Sequence, residues 1–256
     1  MTQRVWRFVL QLSIASFCFA CEDKPRPNAF DPPPGAPKPL PALTEVPKPE
    51  GPPQLAIDDL SPKVGFSRLL LREGRDAAQD RAKLTQELKQ NAKFFEGRTV
   101  PLLVDRKAKT DWVAAMIDEL SAVGVEAVEI ETETREEFRK KLIFTPQQKA
   151  ANAPRCSLVA MVLDDRATAV WRLSGGVAAR RSKGMAGPDL SMTGITIERM
   201  AKGCKESPYF FVSGDPVVEW GLVYDLAASV HVLEKADFEK HVLLGETPIA
   251  GRPVTL

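Results

Sequence analysis

The sequence predicts an α+β fold: two tandem small domains, each a sheet with helices packed on one face, carried behind an export leader and a disordered proline-rich stalk. Three observations predict it. Of 21 prolines, 12 fall between residues 22 and 54, which separates a spacer from everything after it. An apolar strand ending in aspartate, followed by a helix with an apolar stripe, occurs twice, 110 residues apart. Hydrophobic residues make up 44% and charged residues 27% of the chain, the balance of an ordinary globular body.

The first 21 residues read "MTQRVWRFVLQLSIASFCFAC". Arg4 and Arg7 precede an apolar run over 8–20 that contains no acid, which is the layout of a secretory signal. Thirteen helical residues rise about 20 Å, short of the roughly 30 Å of a bilayer core, so the run is read as a leader and not as a span. The segment resembles a bacterial lipoprotein signal, with Cys18 where a leucine is usual. That resemblance implies lipidation of Cys21, an anchor in the inner or outer membrane and a periplasmic body. The alternative is ordinary secretion with cleavage near Ala20. The C-x-x-C formed by Cys18 and Cys21 lies inside this leader and is read as coincidence, not as a redox motif.

Residues 22–60 are expected to be a linker. Proline removes backbone donors and favours extended polyproline II, and the segment has too little apolar surface to offset chain entropy. At about 3.1 Å per residue it would reach on the order of 100 Å from its anchor.

The first domain is expected over 61–145. "FSRLLLRE" (66–73) is a candidate strand, or the lead into a helix, and 76–95 is a helix by composition, with Gly97 beyond its end. "TVPLLVD" (99–105) reads as a strand. Thr110 or Asp111 can cap the next helix, in which Val113, Met116, Ile117 and Leu120 form one stripe. Gly124 ends it and "VEAVEI" (125–130) alternates as a strand. "ETETREEFRKK" (131–141) runs from acidic to basic, an order that suits a solvated helix.

The second domain is expected over 155–248. Residues 156–175 read as two strands about the turn at Asp164 and Asp165, followed by a loop rich in glycine and arginine (174–192). A short helix at 194–203, a strand at 209–215, a helix at 217–233 and a strand at 240–246 complete it. At an offset of 110, Asp105 falls on Asp215, and Val113, Met116 and Leu120 fall on Val223, Leu226 and Val230.

These residues resemble the periplasmic domain of the ExbD/TolR biopolymer-transport family. The first copy matches that family's pattern at Asp105, Val113, Met116, Asp118, Leu120 and Gly124, and the second at Asp215, Trp220, Gly221, Val223 and Leu226. The resemblance implies an accessory of a proton-motive-force-driven complex of the ExbB/TolQ–TonB type, or a contact with peptidoglycan. It also implies dimerisation, which two copies in one chain would supply as an internal pseudo-dimer. The family's membrane helix carries a proton-handling aspartate; the run 8–20 has no acid, so only the docking part would remain.

No catalytic residue, metal or cofactor is expected. Asp105 and Asp215 are read as structural turn or cap residues, because a short carboxylate at a strand end can accept backbone N–H groups. Arg106, Lys107 and Lys109 would keep Asp105 ionised. A rival reading is an envelope hydrolase that pairs Asp105 or Asp215 with His231 or His241, the two histidines of the chain. Arg180, Arg181 and Lys183 could contact an anion or glycan, or stand on a solvated loop. Cys156 and Cys204 form an even pair after the leader and are a candidate disulfide; the alternative is two buried thiols. A net charge of +1 gives no field that would favour nucleic acid.

Overall fold

A computed structural model describes residues 51–256 apart from 73, 186, 205, 206, 235 and 237. The leader, Cys21 and most of the proline-rich stalk therefore lie outside the described residues. Among the described residues no helix is long and apolar enough to cross a membrane.

Among the described residues, four α-helices and eleven strands form a mixed α+β body. The strands are β1 (Leu55–Ile57), β2 (Pro62–Val64), β3 (Ser67–Arg68), β4 (Thr99–Val104), β5 (Ala127–Glu131), β6 (Lys141–Phe144), β7 (Leu158–Val162), β8 (Thr168–Arg172), β9 (Ala179–Arg181), β10 (Tyr209–Gly214) and β11 (Lys240–Leu243). The helices are α1 (Ala77–Gln90), α2 (Thr110–Ala122), α3 (Leu190–Ala201) and α4 (Trp220–Ser229). The strands make one sheet in the order β3-β2-β1-β4-β5-β6-β11-β10-β7-β8-β9.

Two runs of the same elements build that sheet. In each, an antiparallel β–β–β unit leads to a helix, a strand, a helix and a last strand: β1, β2, β3, α1, β4, α2, β5, then β7, β8, β9, α3, β10, α4, β11. The pairing repeats as well. Strand β4 lies parallel between β1 and β5, and β10 lies parallel between β7 and β11. The odd strand is β6, antiparallel to β5 and parallel to β11, which it meets through the single pair His241 and Phe144.

Hydrophobic alternation places the core. Val100, Leu102 and Val104 of β4 point inward, as do Val113, Met116, Ile117 and Leu120 of α2, in a cluster that takes side chains from both halves. Gly124 stops α2 at φ +85°, a left-handed turn that closes the last carbonyls at little cost only for glycine. The other sheet face is treated differently in the two halves. Under β7, β8, β10 and β11 it holds Trp171, Phe211, Met161 and Val242, packed with Ala150 and Val254 from segments outside the sheet. In the first half the same face shows Thr99, Pro101 and Leu103 to solvent.

Several expectations change. The two segments read as separate domains share one sheet. Leu55–Ile57, inside the expected linker, is a strand hydrogen-bonded on both sides. The candidate strand at 66–73 shrinks to Ser67–Arg68. Residues 132–140 form a loop, not a helix, because Leu142 and Phe144 pair with β5 and turn the chain back. Thr110 is the first residue of α2 and not its cap; Lys109 holds the cap position.

Candidate functional site

The two strand–loop–helix junctions meet each other. Residues Lys109 and Glu219, equivalent at the offset of 110, form an antiparallel bridge with one another. Partners that are each other's counterparts must straddle a local two-fold axis, and the flanking contacts obey it. Trp220 N–H donates to the Ala108 carbonyl (2.8 Å), while Thr110 Oγ1, the counterpart of Trp220, donates to the Val218 carbonyl (3.0 Å). The repeat thus closes on itself as a pseudo-dyad within one chain.

Asp105 and Asp215 hold the two bends at that axis. Asp105 N–H donates to Ile57 O (2.8 Å) and Asp215 N–H to Val162 O (3.0 Å), so each continues its strand by one bond. Their carbonyls accept from Ala108 and Val218, closing equivalent turns. The side chains diverge. Asp105 Oδ1 accepts the Lys107 N–H at 2.7 Å, whereas Asp215 Oδ2 accepts the Asp164 N–H at 2.8 Å and ties its bend to the β7–β8 turn.

Beside the axis lies an ion pair that no sequence motif marks. Arg106 makes two parallel bonds to Asp225, at 3.0 and 2.8 Å, and Thr134 Oγ1 donates to the same carboxylate at 2.5 Å. Arg106 also donates to the Glu133 carbonyl (2.6 Å). Asp225 is 4% exposed and sits on α4 among Tyr224, Leu226 and Ala227, all fully buried. Its signal in the sequence was an acid inside the apolar run "WGLVYDLAAS", since a buried carboxylate needs a cation or several donors. Trp220 Nε1 donates to Thr132 Oγ1 (2.9 Å) in the same seam.

The histidines lie elsewhere. His241 is buried between Phe144 and Phe210, with the His231 ring centroid 4.8 Å away. Burial, then the neighbouring His231, pushes its pKa down to about 3, opposed by a hydrogen bond to the Ala227 carbonyl. Its Nε2 has no partner. The structure brings the two histidines together and brings neither Asp105 nor Asp215 to His241.

Arg180 pairs with Asp165, and Arg181 Nε donates to Thr196 Oγ1 at 2.7 Å, so both are engaged within the fold. Lys183 forms an isolated bridge with Pro188. A disulfide joins Cys156 to Cys204, with Cα atoms 5.5 Å apart, and fastens the end of α3 to the start of β7. No group of three metal-ligating side chains occurs among the described residues.

No family model matches the chain, and no curated protein matches it. Among solved structures, the Acinetobacter baumannii Cap4 SAVED/CARF-domain receptor with the cyclic trinucleotide 3'3'3'-cAAA aligns at 10% identity with a TM-score of 0.25. The alignment spans 72% of this chain and 47% of the receptor. A superposition that loose carries no argument about fold or ligand.

Proposed function

We propose that this chain is a non-catalytic envelope lipoprotein of ExbD/TolR periplasmic type. In this reading both copies are paired inside one molecule and dock onto an envelope partner. A lipid on Cys21 and the proline-rich stalk would hold the body in the periplasm, at the inner or outer membrane. The partner would be a proton-motive-force-driven complex of the ExbB/TolQ–TonB type, in which this protein is an accessory.

The observation that carries the reading is the closure of the repeat about Lys109 and Glu219. A family expected to work as a dimer of two chains would here find its pairing built into one chain. The same axis relates the two outermost strands, β3 and β9, and among the described residues neither pairs with a further strand on its outer side. An edge strand offers unpaired backbone groups to a peptide that adds as the next strand. Phe66 (93% exposed) and Leu70 (56% exposed) flank β3 and would seat apolar side chains of that peptide.

Cross-linking in membranes, with a photo-reactive residue at Phe66, tests this. Capture of motor-type membrane proteins by the wild type, lost in both Cys21→Ala and Ser67→Pro, is the expected result. Capture of glycan strands in place of protein would favour peptidoglycan as the partner. A wild type that stays soluble and captures nothing would overturn the proposal. The hydrolase reading has less support, because its carboxylates are spent on backbone N–H groups and His241 is held neutral in the core.

A further inference from the structure

Because the two halves repeat their elements, each buried residue can be compared with its counterpart. Phe210 pairs with His241 as Val100, the counterpart of Phe210, pairs with Val128. The first half thus fills with a fully buried valine the position that the second half fills with histidine. His231, in the turn Val230–Val232 that follows α4, likewise stands where the first half has Ser121. Packing a helix end onto the sheet therefore does not call for imidazole, and a histidine in the core adds a polar group that needs a partner.

We infer that His231 and His241 together hold a divalent transition-metal ion of the kind imidazole prefers, with zinc as the reference ion. His241 is 2% exposed, and its Nε2 has no hydrogen-bond partner among the described residues. Its bond to the Ala227 carbonyl therefore runs from Nδ1. That bond keeps the proton on Nδ1 and leaves Nε2 with a bare lone pair, which only a donor or a metal can satisfy. A backbone carbonyl on one ring nitrogen is the usual support for a histidine that ligates through the other.

The spacing agrees. The two ring centroids are 4.8 Å apart, with the planes tilted by 44°. Two imidazoles on one tetrahedral ion, with bonds of about 2.0–2.1 Å, put their ring centres roughly 5 Å apart. Phe144 and Phe210 pack against the His241 ring, at 5.8 and 6.3 Å between centroids, and hold its orientation. His231 is half-buried and lines a cleft of about 480 Å³ with Arg139, Glu234 and Phe238, which gives an ion a way in and room for water at its other positions. Arg139 and Glu234 carry opposite charges, so the ring nitrogens and not the field of the cleft select the ion. No third His, Cys, Asp or Glu joins the pair among the described residues, so the ion keeps open positions and would tie the end of α4 to β11. The inference uses neither sheet edge and does not depend on the docking proposal.

Zinc titration of the purified full chain tests it, with magnesium as the control ion. Every sample carries Cys18→Ser and Cys21→Ser, which removes thiols that would take the same ion. One zinc per chain is expected, with a shift of the His241 Nε2 resonance in nitrogen NMR and a higher melting temperature. His231→Gln, at a half-buried position, should weaken binding at least about tenfold. His241→Val, which copies the residue of the first half, should keep the fold by circular dichroism and lose both the binding and the zinc-dependent rise in melting temperature. No stoichiometric zinc, equal binding of magnesium, a His241 Nε2 resonance that zinc leaves in place, or zinc affinity unchanged in His231→Gln would each overturn it.

Discussion

Arg106→Met should destabilise the protein more than any surface substitution, and the size follows from what is left behind. The Asp225 carboxylate is 4% exposed, while Arg106 is 34% exposed. Removing one partner of a buried pair costs about 3–5 kcal/mol, because the survivor is left desolvated. Thr134 still donates to Asp225, and Arg135 Nε lies 3.8 Å away, so the loss should fall near the lower end, about 3–4 kcal/mol. Asp225→Ala should cost less, since the freed guanidinium can turn toward water. Arg106→Met with Asp225→Leu, which removes both charges, should return to within about 1 kcal/mol of wild type. Urea unfolding at pH 7.5, followed by tryptophan fluorescence and circular dichroism, measures all three. With a slope of about 2–3 kcal/mol per molar, the midpoint of Arg106→Met should drop by roughly 1–2 M. A change below 1 kcal/mol would refute the lock. So would a wild type in which the halves melt in separate transitions.

Further outcomes follow from the same contacts. His241 is neutral in the fold with a pKa of about 3, against about 6.5 when unfolded. The unfolded chain therefore takes up the proton first, and the stability present above pH 6.5 is lost as pH falls toward 3. Between pH 7.5 and 5.0 the loss should be about 2 kcal/mol in urea titrations, and His241→Phe should remove most of that slope. Reducing the bond between Cys156 and Cys204, 48 residues apart, should cost about 4 kcal/mol in the chain-entropy picture. Thermal unfolding with and without reductant would measure it. Trp220→Ala should cost about 3–5 kcal/mol, because the ring is fully buried and its N–H holds Thr132.

What the sequence made legible was local and periodic. Val113, Met116, Ile117 and Leu120 identify α2, and the recurrence of Asp105 as Asp215 marks two equivalent bends. Neither pattern says that the halves share a sheet. That depends on β6, four residues that pair locally with β5 but reach β11 through a contact between Phe144 and His241, far apart in the chain. The prolines around Leu55–Ile57 hid β1, since Pro52 and Pro53 extend the spacer composition to the first strand. The charged run 131–141 has helical composition, but β5 ends inside it, Thr134 and Arg135 turn to Asp225, and Leu142 returns to the core. Arg106 read only as a neighbour of Asp105; its partner lies 119 residues away, beyond any spacing rule.

The closure of the repeat within one chain can be measured directly. Lys109→Cys with Glu219→Cys places two thiols at an antiparallel pair, where Cα atoms stand about 4.5–5.5 Å apart and a disulfide can form. Oxidation of the monomeric double variant should yield an intramolecular bond, seen by peptide mapping at any protein concentration. A bond that forms only between chains, or fails to form in folded protein, would contradict the account.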